Sequence, residues 1–370
     1  MQICHVTSVH PAKDVRIFYK ECCSLVKAGY DVYEIAPNVG DEFYNGVKIC
    51  GVQLPRQRLK RMLFGREKIY TKCLEINADV YHFHDPELIP VGIKLKRNNS
   101  NKKIIFDSHE DVPAQILAKH WIPFPFRKLF SIVYSVYERI SLKCYDAIIS
   151  VTPSIVNKLK AININTVQIT NYPIVSTVSA EDMRQWNNSI CFAGGISQQW
   201  LHTNIIKALD NTSGIMYELV GTGSSDYLAG LKNLSSWSKV KFYGNIPFTD
   251  VGTFLSKSTA AIVLNDYSAN VGWKEGTLGN NKLFEAMQVG IPVICTDFIL
   301  WKEIIDEWKC GICINPHDIT AIRDAINYLI ENKDIAKEMG DNAKKAVIER
   351  YNWKTQETVL LNLYVGLFKD

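Results

Sequence analysis

Short apolar runs alternate with segments of helical periodicity along the first half of the chain. Residues 2–9 (QICHVTSV) and 30–37 (YDVYEIAP) are apolar runs, and the segment 14–29 between them has apolar residues at helical spacing before Gly29, a helix stop signal. This order predicts a βαβ unit. Five more runs predict further strands: VKICGVQL (47–54), DVYHFH (79–84), KKIIFDS (102–108), DAIISVT (146–152) and TVQITNYP (166–173).

The pattern restarts at about residue 187, after a polar, proline-bearing stretch at 171–188 that predicts a linker. The second set of predicted strands comprises NSICFAGG (188–195), MYELVGTG (216–223), KVKFYGNI (239–246), AAIVLND (260–266), IPVICTD (291–297) and GICINP (311–316). Helical patterns follow at 318–332, 335–353 and 353–368. Alternation of this kind predicts an α/β fold of two Rossmann-like, doubly wound parallel-sheet domains that face each other across a cleft. We expect domains at 1–172 and 173–353, with a closing helix at about 354–370 packing back on the first.

Composition narrows the class of protein further. The 370 residues suit two domains, and 47% hydrophobic with 22% charged residues is typical of a globular protein. A formal charge of +4 does not indicate a nucleic-acid partner. Ten dispersed cysteines and an N-terminus without a charged-then-apolar leader predict a reducing cytoplasm. Cys310 and Cys313 have the spacing of one of the two ligand pairs of a zinc site. Because no second pair with suitable spacing appears in the sequence, we expect structural thiols.

Residues 276–297 (GTLGNNKLFEAMQVGIPVICTD) place one acid, Glu285, within an otherwise apolar helical stretch. Glutamate is rarely buried without a partner, so the residue indicates either a solvated helix face or a carboxylate that binds hydroxyl groups. A helix that begins near Asn281 or Lys282 would offer free N–H groups to phosphate oxygens. Lys282 in its first turn opposes the helix dipole, as a diphosphate site would require. Glu285, one turn on, would then accept hydrogen bonds from a ribose.

Other nucleotide signatures are weak. The segment HPAKDVR (10–16) after the first strand has no glycine, which argues against a dinucleotide fold, and GTGSSD (221–226) is more often a turn.

The motif NNKLFEAMQVGIPVICTD (280–297) resembles the C-terminal signature of the family 4 retaining glycosyltransferases of the GT-B architecture. The resemblance extends over nearly the whole chain through HVTSVHPAKDVRIFYKE, DVYHFHDPEL, IIFDSHED, NYP, CFAGGIS and VKFYGNIP, in the family's order. It implies transfer of a sugar from a nucleotide donor with retention, usually without a metal. No cofactor is expected beyond the nucleotide-sugar substrate, for which UDP is favoured over GDP.

Site residues follow from the same resemblance. Glu285 corresponds to the ribose-binding carboxylate, Ile246 of the turn 244–246 to the segment that contacts the base, and His109 to the histidine facing the reacting sugar. His109 has a capping or structural role as its alternative. The family's other acid is replaced by Thr277, and Glu275 is the candidate substitute for contacting the donor sugar. The remaining donor-binding candidates lie in the two glycine-containing loops and the first helical turn: Gly195, Gly279, Asn280 and Asn281.

The family's usual Arg and Lys after the first strand of the second domain are replaced here by Gln198, Gln199 and His202. The leaving diphosphate still requires fixed positive charge. Lys282 is therefore the catalytic candidate, with help from Arg16, whose alternative is a surface position on its helix.

The cluster HFHDPEL places His84, Asp85 and Glu87 at the carboxyl end of a strand, where cleft residues belong. We expect these residues to bind the acceptor. The alternative is an Asp-Pro turn that caps a helix.

A membrane surface is the expected partner. Arg56–Lys72 carries seven basic residues and one acid, with Leu59, Met62, Leu63, Ile69, Tyr70 and Cys73 at roughly helical spacing. This pattern is typical of a helix that lies on anionic lipid, although an ordinary outer helix would also show it. Residues 121–140 add an interfacial mixture: Trp121, Phe124, Phe126, Arg127 and Lys128.

The sequence therefore predicts a glycosyltransferase at the inner face of the cytoplasmic membrane, acting on a saccharide or lipid-linked saccharide of a bacterial surface polysaccharide such as O-antigen or capsule. Two alternatives remain: a catalytically silent nucleotide-sugar binder that supports a partner enzyme, and a sugar-nucleotide epimerase of the same architecture.

Overall fold

A computed structural model describes residues 1–119, 122–175 and 184–368. The chain divides into two units: unit 1 contains Met1–Asn171 and Trp353–Asp370, and unit 2 contains Tyr172–Asn352. Trp121 and the middle of the predicted linker, residues 176–183, lie outside the described residues.

Within the described residues, unit 1 holds an eight-stranded sheet with the order β3-β4-β2-β1-β5-β6-β7-β8. All neighbouring strands are parallel except β3, which runs antiparallel to β4 at the sheet edge. The strands are β1 Gln2–Val6, β2 Asp31–Pro37, β3 Glu42–Tyr44, β4 Val47–Val52, β5 Val80–Phe83, β6 Lys103–Ser108, β7 Ala147–Ser150 and β8 Thr166–Gln168.

The first helical segment of unit 1 begins with π-helical winding at Val15–Cys22 and continues as α1, Cys23–Lys27. Asp14 caps it by accepting hydrogen bonds from the backbone N–H of Arg16 at 2.8 Å and Ile17 at 3.1 Å. A second π-helical segment, Arg61–Gly65, lies between α2 and α3. The other helices of this part are α2 Arg58–Lys60, α3 Arg66–Ile76, α4 Ile89–Asn98, α5 Val112–Ala118, α6 Phe124–Ser141 and α7 Pro153–Lys160.

Unit 2 has, in the part that the structure describes, a six-stranded parallel sheet with the order β11-β10-β9-β12-β13-β14. Its strands are β9 Asn187–Ala193, β10 Met216–Val220, β11 Val240–Gly244, β12 Ser258–Val263, β13 Val293–Thr296 and β14 Gly311–Ile314. Its helices are α8 His202–Ala208, α9 Ser225–Lys232, α10 Phe248–Leu255, α11 Asn281–Gln288, α12 Ile299–Trp308, α13 Ile319–Glu331 and α14 Lys333–Glu349.

The last helix, α15 (Trp353–Gly366), belongs to unit 1. Leu360, Leu363 and Tyr364 of α15 pack in one apolar cluster with Ile3 of β1 and Phe18 of the π-helical segment. The helix therefore covers one face of a sheet whose strands precede it by more than 180 residues.

The predicted fold class is confirmed: both units are α/β with parallel sheets, and each predicted apolar run overlaps an observed strand. The predicted start of the helix at Asn281 is also confirmed. The short edge strand β3 and the π-helical winding were not predicted. No helix in the described ranges is long and apolar enough to cross a membrane.

Candidate functional site

In unit 2, the turn after β9 lies directly against Lys282. A Cβ atom added to Gly194 would lie 2.1 Å from Lys282 Cε and 3.0 Å from its Nζ, so the end of the lysine side chain passes close to this turn. The Lys282 ammonium also lies 5.4 Å from the ring centroid of Trp200. The cation therefore lies between the turn and the aromatic ring. Gly195, next in the turn, is exposed.

The first turn of α11 is held by side-chain caps. Asn280 Oδ1 accepts a hydrogen bond from Lys282 N at 3.1 Å, and Thr277 Oγ1 accepts one from Gly279 N at 3.0 Å. Asn281 Oδ1 is buried without a hydrogen-bond partner in the described structure. A buried amide oxygen of this kind is rare unless a ligand or water satisfies it.

Lys282 and Glu285 line the same small pocket. They are one helical turn apart, while Leu283, Phe284, Ala286 and Met287 of the same helix are buried in the core of unit 2. The pocket is lined by Cys191, Phe192, Ala193, Leu255, Ala261, Val263, Lys282, Glu285 and Ala286. A cation and a carboxylate thus share an otherwise apolar recess at the carboxyl end of β9, where doubly wound sheets bind their ligands.

The loop before α11 is tied to the beginning of α12. The carbonyl oxygens of Glu275 and Thr277 accept hydrogen bonds from Leu300 N at 3.1 Å and Trp301 Nε1 at 2.7 Å. Gly276 between them has φ +84°, and a Cβ there would lie 2.5 Å from Phe298 Cβ. These contacts hold the backbone around the half-buried Glu275 in place. Ile246 packs partly buried against the core that contains α11.

In unit 1, the polar candidates gather where β1, β5 and β6 end. Asp85 accepts hydrogen bonds from Thr7 Oγ1 at 2.8 Å and Ser8 N at 2.7 Å. It also occupies the N-cap position of the 3-10 helix Pro86–Leu88, as the alternative of an Asp-Pro turn predicts, but its side chain makes no cap hydrogen bond to that helix. Glu87 accepts from Ser8 Oγ at 2.7 Å and pairs with Arg61. The direct acceptor contacts of His84, Asp85 and Glu87 stay a prediction, although all three side chains are largely buried.

Arg16 is only 3% exposed, so the alternative of a surface position is wrong. Its Nε donates to Asp107 Oδ2 at 2.9 Å and lies 3.1 Å from Glu21 Oε1, and another guanidinium nitrogen donates to the Ile169 carbonyl at 3.1 Å. Burial alone would raise the pKa of Asp107, but Arg16 holds that pKa well below its usual range. In the structure the guanidinium of Arg16 contacts Asp107, Glu21 and the Ile169 carbonyl. Its contact with the diphosphate stays a prediction.

His109 lies beside this ion pair and is partly exposed. Its Nε2 is 3.5 Å from Asp107 Oδ2 and 3.4 Å from His84 Nδ1. Burial lowers the pKa of His109 to about 3, so the ring is a neutral imidazole at physiological pH. It can accept or donate a hydrogen bond to a sugar hydroxyl.

His10 stacks on His109 with ring centroids 5.6 Å apart, and sequence reasoning missed it. A hydrogen bond to Asp14 raises the pKa of His10. The stacked pair therefore combines a neutral imidazole with one that protonates more readily. The signal for it was available, since His10 follows the first strand as His84 and His109 follow theirs.

Two protein-family models match the chain in succession. One, described as Glycosyltransferase Family 4, matches residues 15–170, and the other, Glycosyl transferases group 1, matches residues 181–346. Residues 15–170 lie in unit 1 and residues 181–346 lie in unit 2, so each unit matches a glycosyltransferase family model.

Individual proteins agree with this assignment. An uncharacterized glycosyltransferase of Methanocaldococcus jannaschii is 27% identical over 171 residues, which are 45% of this chain and 42% of that protein. The match thus spans less than half the length of this relative. Sucrose-phosphate synthase of Thermosynechococcus elongatus has a similar structure, with TM-score 0.77, 16% identity and 99% coverage of both chains. The Anabaena protein HepE, solved with UDP and glucose, gives TM-score 0.70 at 14% identity, covering 99% of this chain and 100% of its own.

The basic segment of the GT-B chain behaves differently in its two halves. Leu59, Leu63 and Phe64 are exposed, whereas Ile69, Tyr70 and Cys73 are buried. From α3 onward it is an ordinary outer helix, which corrects the expectation of one continuous amphipathic surface. Arg61 and Arg66 also bond inward, to the Glu87 carboxylate and carbonyl respectively.

Helix α6 exposes a broad apolar face. Its exposed large side chains are Phe124, Phe126, Leu129, Phe130, Ile132, Val133, Val136, Tyr137 and Ile140. Arg58 and Arg66 of the basic segment lie near Tyr134 and Tyr137, where they oppose the burial that raises the pKa of both phenols. The apolar face of α6 and the basic segment are therefore neighbours on unit 1.

Proposed function

We propose that the protein is a retaining glycosyltransferase that moves a sugar from a nucleoside-diphosphate donor to a saccharide acceptor. The observation that carries the proposal is the pairing of Lys282 and Glu285 in one pocket beside the Gly194 turn. A UDP-sugar is favoured as donor over a GDP-sugar, with support from the UDP bound to the similar HepE.

In this proposal, unit 2 binds the donor. Glu285 accepts hydrogen bonds from the ribose hydroxyls, and Ile246 lies against the base. Lys282 and the N–H groups at Gly195, Asn280 and Asn281 stabilise the diphosphate as the glycosidic bond breaks, while Gly279, whose N–H donates to Thr277, shapes the loop beside it. Glu275 contacts the hydroxyls of the donor sugar. The Lys282 ammonium, beside the Gly194 turn and the Trp200 ring, supplies positive charge where negative charge develops on the leaving group.

Unit 1 supplies the acceptor side. His109 offers a neutral imidazole to the reacting sugar, and Asp107, itself fixed by Arg16, orients that ring. His84, Asp85 and Glu87 bind or position the acceptor, in part through Ser8. A phosphate oxygen of the donor assists deprotonation of the acceptor hydroxyl on the same face of the sugar, so the reaction needs no carboxylate nucleophile. Turnover is expected without added divalent metal, and a requirement for Mg²⁺ or Mn²⁺ would contradict this mechanism.

A thermal-shift series with UDP, GDP and their common sugar conjugates tests the donor site. A nucleotide at 100 times its dissociation constant adds about 2.7 kcal/mol to the stability of the folded protein. We expect this shift with UDP compounds, its loss in Glu285→Ala, and its retention in the control Glu303→Ala, an exposed glutamate of α12.

Three outcomes count against the proposal. If no nucleotide shifts the melting temperature, the similarity to glycosyltransferases is one of fold only. Donor binding without turnover across a broad acceptor screen would favour a silent nucleotide-sugar binder. A change of the donor sugar without an acceptor would favour an epimerase.

We further propose that the acceptor is lipid-linked, in bacterial O-antigen or capsule synthesis, and that the protein works on the inner face of the cytoplasmic membrane. The apolar face of α6 beside basic side chains supports this, because such surfaces enter the headgroup region of anionic bilayers.

Flotation with phosphatidylglycerol-containing vesicles tests the membrane contact. We expect co-flotation that weakens several-fold in high salt or with neutral vesicles, since each basic side chain near an anionic surface contributes about 1 kcal/mol. Phe126→Ser with Val133→Ser should abolish it. The control Ile299→Ser changes an equally exposed apolar residue of unit 2 and should float normally. Equal flotation of all three proteins would exclude α6 as the contact.

A further inference from the structure

Four potential metal ligands lie together inside unit 1. His5 is on β1, Glu21 is on the π-helical segment, His82 is on β5 and His84 directly follows the end of β5, and all four are buried. One ligand atom from each lies within 4.8 Å of the others. The register of the sheet explains the gathering, because His5 is the neighbour of His82 across β1 and β5, and His84 follows two residues later on the same face.

The distances among three of these ligand atoms suit a small tetrahedral cation. His5 Nδ1 is 3.0 Å from His84 Nε2, and Glu21 Oε2 is 3.6 Å from the former and 3.8 Å from the latter. A zinc ion with bonds of about 2.0–2.1 Å places its ligand atoms roughly 3.3 Å apart. The observed separations lie on either side of that value.

Buried polar atoms in the cluster lack partners. Both carboxylate oxygens of Glu21 and Nε2 of His82 are buried without a hydrogen bond in the described structure. Glu21 pairs with Arg16, which also pairs with Asp107. Buried carboxylates are usually paired or bound to a metal. The cluster therefore contains potential ligand atoms without hydrogen bonds, and one guanidinium, that of Arg16, pairs with two carboxylates, those of Glu21 and Asp107.

The opposite nitrogens of the three histidines already have partners. His82 Nδ1 lies 2.9 Å and His5 Nε2 3.3 Å from the hydroxyl of Tyr364 in α15, and His84 Nδ1 lies 3.7 Å from Asp107 Oδ2. Metal-bound histidines almost always have such an outer partner, which fixes the tautomer and the ring orientation.

We propose that His5, Glu21, His82 and His84 bind one structural Zn²⁺ inside unit 1. Imidazole and carboxylate ligands in a tetrahedral set favour Zn²⁺ over Mg²⁺ or Ca²⁺, which prefer more oxygen ligands. The ion would join β1, β5 and the π-helical segment. It would thereby fix the end of β5, which leads into His84 and Asp85. This role differs from that of a metal at the donor diphosphate, and it does not depend on the proposed function.

Metal content measures the site directly. The full chain, stripped with a chelator, reloaded with Zn²⁺ and passed through gel filtration, should retain one zinc per chain by elemental analysis. Glu21→Gln and His82→Gln should each retain far less. The matched control is Glu34→Gln, because Glu34 is also fully buried with both oxygens unpartnered but lies outside the metal-ligand cluster. It should retain the full amount.

Two further measurements protect the test against misfolded variants. Co²⁺ loaded into the wild-type protein should give the intense visible absorption of tetrahedral coordination. Tyr364→Phe, which removes the outer hydrogen bonds and no ligand, should lower zinc affinity by about tenfold.

A metal-free wild-type protein that takes up neither Zn²⁺ nor Co²⁺ would overturn the proposal and indicate that Glu21 holds a proton instead. Zinc retained equally by Glu21→Gln and His82→Gln would place the ion elsewhere, as at His84, Asp107 and His109, and would also overturn it.

Discussion

His202 makes the stability of unit 2 depend on pH. The side chain is buried, its Nδ1 lies 2.8 Å from the Tyr217 hydroxyl, and burial lowers its pKa to about 3. An unfolded histidine titrates near pH 6.5. Between about pH 3 and pH 6.5, His202 is protonated in the unfolded chain but neutral in the folded chain. The contribution of His202 to the free energy of unfolding is therefore fully present above about pH 6.5 and is lost as the pH falls below that value. At pH 5 this one residue costs about 2 kcal/mol relative to pH 7.5.

Urea unfolding at pH 7.5, 6 and 5 measures this effect. His202→Phe should reduce stability at pH 7.5 because the Tyr217 hydroxyl loses its partner, but the decline between pH 7.5 and 5 should be about 2 kcal/mol smaller than in the wild type. The exposed His317 provides the control, and His317→Gln should retain the wild-type decline. Identical declines in all three proteins would show that His202 is protonated in the folded state.

The environments of Glu285 and Arg16 differ in how far the sequence could predict them. The apolar stretch around Glu285 indicated either a solvated helix face or a carboxylate that binds hydroxyl groups, and in the structure Leu283, Phe284 and Met287 are buried while Glu285 lines a pocket. The burial of Arg16 could not be predicted in this way. Its carboxylate partner Asp107 is 91 residues away, and helical spacing gives no information on a partner from another strand.

At the scale of elements, α15 is expected to contribute to unit 1 through a few buried side chains. Leu360→Ala should cost about 2–5 kcal/mol, because Leu360 is fully buried between the sheet and the π-helical segment and its removal leaves a cavity. Asn362→Ala, on the exposed side of the same helix, should change stability by no more than about 0.5 kcal/mol. Chemical denaturation compares the two. Equal effects would mean that α15 does not pack as described.

The elements that sequence analysis identified are those with long apolar runs. Strands buried on both faces, such as β7 and β12, show this signal strongly. Strand β3 has three exposed residues and pairs only at the sheet edge, so it had no pattern to read. The π-helical winding at 15–22 was equally hidden, because the hydrophobic spacing of one or two turns does not distinguish it from an α-helix.

For the whole molecule, each unit has its own apolar clusters, and the proposed donor residues all lie in unit 2 except Arg16. We therefore expect calorimetry to resolve two transitions, as separate domains commonly give. UDP should raise only the transition of unit 2, whereas Leu360→Ala should lower only the other. A single transition that moves as a whole in both cases would show that the units unfold together.

The path of the chain has a consequence for its synthesis. Unit 1 is interrupted by the 181 residues of unit 2 and receives α15 last. At about 5–20 residues per second, a ribosome needs roughly 10–35 s to make that insertion. Throughout this time the nascent sheet of unit 1 exposes the apolar surface around Ile3 and Phe18 that α15 later covers. Newly made chains should therefore require chaperone protection until residues 353–370 emerge.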